Sequence, residues 1–433
     1  MRVLGIGNYN DLGSIYMRCA SEGHDARVFI AEEGSRDVLR GLVPQEPDLE
    51  AAIAWAAADD HVILVEDSGW GAQQDAWRAR GLHVLGSSML GDRLEEDRAF
   101  GQQVLRDAGL HTLPTHTFES FTEAIEFVNA TPCRYVLKFH GSDLPSNANY
   151  VGMRDDASDM LAVLAREQAL YAADDEPEPA FSLMAFVAGV ETGLGAFFDG
   201  NDFVGPINLD WEHKRLFPGD LGELTGEMGT VVTYRGGEKL FAATLARVAP
   251  LLRSGHHVGY VNLNTIINAD GIWPLEFTCR FGYPGFAILS ALFHDDCARI
   301  CRNVAAGTGA SFTTHDGFAI GVVLTVPPFP YHHGYEELGK GQMIHLPRDL
   351  TDDERRHLHF GEVALDRGAL VTAGQVGYVM VVTGNGPTIA AARAAAYGLA
   401  GRIAIPNMRY RNDIGTSLEV RGLAELSKLG WYR

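Results

Sequence analysis

Short apolar runs recur through residues 1–90, as Arg2-Val-Leu-Gly-Ile-Gly7, Ala26-Arg-Val-Phe-Ile30, His61-Val-Ile-Leu-Val65 and His83-Val-Leu85, with stretches of mixed polarity between them. That alternation predicts strands joined by helices, one of them over Ile15–Glu22, and hence a parallel sheet with helices on its faces. The fold class is α/β. Ligands of such sheets bind at the carboxyl ends of the strands, so the turns Gly7–Ser14 and Glu66–Gly71 should line one crevice.

Further along, helices are predicted over Asp92–Ala108 and Ser120–Val128, and a strand over Arg134–Phe139. Strands follow at Phe181–Phe186, Thr192–Phe198 and Phe203–Ile207, then a helix over Glu238–Arg253. Gly259–Ile267 and Ile272–Thr278 face each other across Asn268-Ala-Asp-Gly271. From Gly317 onward, strands alternate with a helix at Ile389–Ala400.

The 433 residues suffice for two to four domains at ~100–200 residues each. A formal charge of −21 argues against binding to a nucleic-acid backbone or an anionic membrane, though not against a small anion in a local basic pocket. Five scattered cysteines make no disulfide framework, and Cys297 and Cys301 read as buried thiols. No basic-then-apolar leader or membrane-length apolar run is visible, so a cytoplasmic protein is expected.

Two charged residues stand inside apolar strands. Lys138 lies in Tyr135-Val-Leu-Lys-Phe139, and Glu276 in Trp273-Pro-Leu-Glu-Phe-Thr278. Each costs desolvation unless it meets an opposite charge, and Mg²⁺ is a hard cation suited to such a carboxylate. A structural pair of Glu276 with Arg280 is the alternative. Together with His213-Lys-Arg215, these residues could serve a nucleoside triphosphate, which needs cations at its phosphates and a carboxylate-held metal. No G-x-x-x-x-G-K-[ST] is present, which excludes a P-loop.

Six segments, in order, resemble an ATP-grasp ligase, specifically the phosphoribosylamine-glycine ligase (glycinamide ribonucleotide synthetase) family. They are Leu85-Gly-Ser-Ser88 with Leu94-Glu-Glu-Asp-Arg-Ala-Phe100, Tyr135-Val-Leu-Lys-Phe-His-Gly141, Phe186-Val-Ala-Gly-Val-Glu191, His213-Lys-Arg215 with Thr225-Gly-Glu-Met-Gly229, Leu275-Glu-Phe-Thr-Cys-Arg-Phe-Gly282, and Tyr410-Arg-Asn-Asp-Ile-Gly415. The resemblance implies an amino-terminal α/β substrate domain (1–90), an ATP-grasp domain (91–325, lid about 113–190) and a carboxyl-terminal α/β domain (326–433). It also implies ATP and Mg²⁺, with Mn²⁺ as a substitute, and a small carboxylate and a small amine as substrates. Association with further copies of the chain stays open. On that basis Arg98 and Lys138 would contact ATP phosphates, the Ala185–Val187 backbone would read adenine, and Glu191 would hold the ribose. Glu276 and Thr278 would bind the metal. Arg280, Lys214 and Arg215 would act on the transferred phosphoryl and carboxylate groups.

The sequence departs from the family at several of these places. Thr278 replaces an Asn, leaving Asn262 or Asn264 on the adjacent strand to complete the metal shell. The lid loop after Lys138, glycine-rich in the family, reads Ser142-Asp-Leu-Pro-Ser-Asn-Ala-Asn149. The phosphoribosylamine loop appears as Gly7-Asn-Tyr-Asn-Asp-Leu-Gly13, without the family's Arg and His, and a second segment reads Glu66-Asp-Ser-Gly-Trp-Gly71. Asn8, Asp11, Glu66 and Asp67 are therefore expected to bind an amine other than phosphoribosylamine, since buried like charges would repel a 5-phosphate. The true purine-pathway ligase, a catalytically silent nucleotide-binding protein, and a carboxylase or phosphotransferase are the other readings.

Overall fold

The computed structural model describes residues 1–140, 148–174 and 177–432. Most of the lid loop expected after Lys138, residues 141–147, lies outside the described residues. Strands β1 (Arg2–Gly7), β2 (Asp25–Ile30), β3 (His61–Val65) and β4 (Val84–Leu85) form a parallel sheet in the order β2-β1-β3-β4. Leu4, Ile6, Ile63 and Val65 fill one face, while Val3, Val28, Val62 and Leu64 fill the other. Burial on both faces is why these strands read as unbroken apolar runs.

The expected helix over Asp92–Ala108 is instead two, Met89–Glu96 and Arg98–Asp107. Asp97 leaves the helical conformation (φ −89°, ψ 87°), and its carboxylate accepts from the Phe100 N–H at 3.0 Å, capping the second helix. The break places Arg98 at the start of a helix, facing the sheet.

The next four strands, β5 (Thr115–Phe118), β6 (Tyr135–Phe139), β7 (Tyr150–Val151) and β8 (Phe181–Ala185), form an antiparallel sheet ordered β5-β8-β6-β7. Tyr135 and Leu137 point into a core with Phe121, Leu164, Phe181 and Leu183, so Lys138 takes the opposite face.

The remaining strands are β9 (Val190–Asp199), β10 (Phe203–Glu212), β11 (Arg215–Phe217), β12 (Leu221–Leu224), β13 (Gly229–Thr233), β14 (Val258–Asn268), β15 (Gly271–Thr278), β16 (Phe318–Thr325), β17 (Leu358–Phe360), β18 (Val363–Asp366), β19 (Ala369–Thr372) and β20 (Tyr378–Gly386). Eight of them form one sheet, β15-β14-β9-β10-β13-β16-β20-β17. The sheet runs straight through the boundary drawn at 325/326, because β16 pairs with β13 on one side and with β20 on the other. The helix expected over Glu238–Arg253 is interrupted at Thr244, whose hydroxyl bonds back to the Leu240 carbonyl at 2.6 Å. The helix at Ile389–Ala400 stands as expected. Among the described residues no helix is long and apolar enough to cross a membrane, and all five cysteines are free.

Candidate functional site

Glu276 and Thr278 sit two apart on β15 and share a face, with Asn264 opposite Glu276 and Asn262 opposite Thr278 on β14. Three elements send cations to this carboxylate. Lys138 Nζ from β6 donates to Glu276 Oε2 at 2.8 Å, Arg98 Nη1 donates to the same oxygen at 2.9 Å, and Lys214 Nζ lies 3.8 Å from Oε1. Lys214 also pairs with Glu212 at 2.9 Å and Glu191 at 3.3 Å. Burial pushes the Glu276 carboxyl up, but the Lys138, Arg98 and Lys214 charges overcome it and hold it well below the usual range. Burial and the neighbouring cations outweigh the pull of Glu276 on Lys138 and draw its pKa down. Lys214 loses to burial but gains more from Glu212, Glu191 and Glu276, so it stays firmly charged. The Glu276–Arg280 pair weighed from sequence does not form: Arg280 Nε donates to Glu95 Oε1 at 3.2 Å.

The basic triplet divides. His213 is buried, and its Nε2 accepts from the Gly415 N–H at 3.1 Å. Burial and the charge of Arg411 lower its pKa. Arg215 points away from Glu276 and donates to the Gly222 carbonyl at 2.7 Å, so only Lys214 of the three joins the cluster. The Tyr410–Gly415 segment supports this arrangement from below. Buried Arg411 binds Asp413 at 2.8 Å, Asp220 at 2.9 Å and the Arg215 carbonyl at 3.0 Å. In the segment expected to be the hinge, the Ala185 N–H is held by the Pro114 carbonyl at 3.2 Å and that of Phe186 by the Arg134 carbonyl at 2.9 Å, so neither N–H of these two is open to a ligand.

The charges of Asp67 and Asp11, in the turns expected to line an acidic crevice, reach Arg280. Asp67 accepts from the Asn8 N–H at 2.6 Å, and the Asn8 side-chain oxygen accepts from Trp70 Nε1 at 3.3 Å. Burial and the charge of Asp67 push Asp11 up to about 7 against the pull of Arg280. Glu66 is different from its sequence expectation. It is buried, accepting from the Leu12 N–H at 3.0 Å and from the Tyr16 hydroxyl, so it shapes the loop from beneath rather than lining the crevice. Burial, then Asp11 and Asp67, raise its pKa well above the usual range.

Glu95 and Glu212, the partners of Arg280 and Lys214, were not singled out from sequence, because each lies in a polar stretch where a carboxylate is ordinary. Ser88 Oγ lies 3.1 Å from His257 Nδ1, a contact invisible in sequence. Ser88 caps its helix and the imidazole, buried and beside Arg78, is pushed down to about 3, so the pair is structural.

The phosphoribosylglycinamide synthetase ATP-grasp (A) domain matches residues 96–286 and the C domain of the same synthetase matches 319–417, together well over half of the chain. The chain belongs to the phosphoribosylglycinamide synthetase family. Members named phosphoribosylamine-glycine ligase resemble it along nearly all their length: the Neisseria meningitidis serogroup A protein is 27% identical, over 96% of this chain and 98% of that one. The Yersinia pestis protein is 28% identical over 98% and 100%. The crystal structure of the Thermotoga maritima ligase superposes with a TM-score of 0.73 at 22% identity, covering 96% of this chain and 100% of that one. The Campylobacter jejuni biotin carboxylase shares the fold alone, with a TM-score of 0.62, 12% identity, and 97% and 95% coverage. This synthetase-family protein is thus an ATP-grasp ligase of the carboxylate-amine type, forming a carbon-nitrogen bond.

Proposed function

We propose that the protein activates a small carboxylate with ATP and passes the acyl group to an amine. The carboxylate oxygen attacks the γ-phosphorus and ADP leaves; the amine nitrogen then attacks the acyl carbon, phosphate leaves, and the nitrogen sheds a proton. The observation that carries the reading is the convergence of Arg98, Lys138 and Lys214 on Glu276, with Arg280 within reach of the charges of Asp67 and Asp11. Arg98 and Lys138 would hold phosphate oxygens, and Lys214 the carboxylate undergoing transfer. Arg215, turned toward the hairpin, is proposed to act only from the lid side, where its charge reaches Tyr150. Glu191 and the Val187 backbone would take the nucleoside. Glu276 is ionised and Thr278 offers a hydroxyl beside it, an oxygen donor set that fits Mg²⁺ or Mn²⁺. The metal would neutralise phosphate charge. The free thiols support a reducing, cytoplasmic setting.

Two readings of the substrates follow. The carboxyls of Asp11 and Asp67 favour an amine other than phosphoribosylamine, because a phosphate brought beside them meets two carboxyl groups where it needs cations and N–H donors. The names of the relatives favour the second, the phosphoribosylamine-glycine ligase reaction itself, and on similarity alone that reading is the better supported. Incubation with phosphoribosylamine, glycine and MgATP separates them. Rapid glycinamide ribonucleotide formation establishes the second, and ADP release only with other carboxylate-amine pairs establishes the first. In either case Glu276→Gln should cut ADP release by about 100-fold or more; undiminished turnover would remove Glu276 from the site.

A further inference from the structure

One surface of the large sheet carries polar side chains in two adjacent rows, each spaced by a glycine of β9. Registers align Glu276 with Asn264, Asn264 with Gly193, and Gly193 with Asp210, and in the next row Thr278 with Asn262, Asn262 with Gly195, and Gly195 with Asn208. Leu209, Trp211 and Leu263, the alternate residues, are buried in the core behind. The glycines of β9 let β10 and β14 lean together. A Cβ on Gly193 would collide with Asp210 Oδ1 and come within 2.8 Å of Asn264 Oδ1. Across this gap Asn262 Nδ2 donates to Asp210 Oδ2 at 2.7 Å, and Asn208 Nδ2 donates to the same oxygen at 2.9 Å.

That leaves acceptors with no donor among the described residues. Asp210 Oδ1, Asn262 Oδ1 and Glu227 Oε1 are each buried and unpartnered, in residues only 5%, 8% and 4% exposed. Glu212, two residues along from Asp210, adds a further carboxylate. Buried acceptors in such number call for a donor-only group. A small metal ion is the poorer match. Among the described residues, the only three His, Cys, Asp or Glu side chains with ligand atoms within 4.8 Å of one another are Glu22, His24 and Asp296, so Asp210, Glu212 and Glu227 are spread too widely to chelate one.

We infer that Asp210, Glu227 and Glu212, with the Asn262 amide oxygen, form a subsite for a protonated basic nitrogen on the carboxylate substrate, which makes that substrate a diamino or guanidino acid. The assignment rests on the carboxylate-amine ligase reading in one respect: it gives the nitrogen to the carboxylate substrate. A carboxylate at Lys214 sits beside Glu212, 2.9 Å away on the same ammonium, whereas the amine approaches from the Asp11 side of Arg280. The attacking amine must also be neutral, and carboxyls that favour its protonated form would silence it. One ammonium would not satisfy acceptors distributed over β10, β14 and the turn before β13; two nitrogens or a guanidinium would.

Calorimetric titration without ATP tests the subsite, using L-arginine, L-ornithine and L-2,3-diaminopropionate against glycine and L-norvaline. At least one basic acid should bind about 10–100-fold more tightly than norvaline, the range set by one or two charge-assisted hydrogen bonds. Asp210→Asn and Glu227→Gln should each remove that preference while leaving norvaline and ATP binding unchanged, which also shows that the variants fold. Equal binding of basic and neutral acids, or a preference that survives both substitutions, overturns the inference. So does Mn²⁺ binding that Asp210→Asn abolishes and Glu276→Gln spares, which would make this a metal site. Selective binding without ADP release for any amine would preserve the subsite and sink the ligase reading; ADP release without basic preference would do the reverse.

Discussion

If Glu276 and Thr278 hold the metal as proposed, Thr278 is the residue at which its affinity would be set. Its hydroxyl is a neutral, weak oxygen donor two positions from Glu276, and an amide oxygen at the same place reaches further and is more polar. Thr278→Asn should therefore lower the Mg²⁺ concentration needed for half-maximal ADP release severalfold; an unchanged Mg²⁺ dependence would show that Thr278 does not touch the ion. Asp11 carries a different consequence. Its pKa of about 7, raised by burial and by Asp67, exceeds the unfolded value near 3.9, so the folded state holds its proton more tightly. The stability this contributes is complete below pH ~4 and lost as pH rises through about 7. Asp11→Asn should accordingly melt a few degrees higher than the parent at pH 8, with the advantage shrinking toward pH 4. Glu362 adds to the same crowding, and Arg280 partly relieves it. Lys138 and Glu276 were legible in the sequence because a charge in an apolar strand demands a partner. Glu66 misled because burial beneath a loop and exposure in a crevice leave the same trace in a polar turn.

At the scale of elements, register does what the sequence pattern alone does not reveal. Asn208, Asp210, Asn262 and Asn264 lie on strands about fifty residues apart, and only the pairing of β10 and β14 with β9 brings them together. Gly193→Ala should break that row. The added methyl meets Asp210 and Asn264 from a strand held on both sides, so the cost is that of overpacking, ~1–3 kcal/mol, read as a lowered Tm. The helix break at Asp97 was equally hidden. The run from Asp92 to Ala108 contains no proline, and its only glycine, Gly101, lies four residues beyond the break. What stops the first helix is the competition of one aspartate side chain for the N–H of Phe100. By contrast, the strands of the parallel sheet and the Gly259–Thr278 hairpin were readable, since their apolar runs and the Asn268–Gly271 turn are local signals.

For the whole molecule, the continuity of the eight-stranded sheet decides what can be separated from what. A chain ending at Thr325 keeps β16 but loses β20, β17 and the helix over Ile389–Ala400 that packs on β20 and β16, along with the Arg411 clamp on the Lys214 loop. Such a fragment should fail to unfold cooperatively, whereas the full chain should give one thermal transition for the ATP-grasp and carboxyl-terminal parts together. A 1–325 fragment that melts sharply and binds ATP would contradict this. The same pairing has a temporal side. Gly229 must wait for Val322 and Thr233 for Phe318, and β16 in turn waits for β20. At ~5–20 residues per second of synthesis, the open edge of β13 stays without its neighbour for roughly 5–20 s on the ribosome. An apolar strand edge exposed for that long invites pairing with other nascent chains. The yield of folded protein should thus depend on expression rate and chaperone supply more than on the equilibrium stability of the finished sheet.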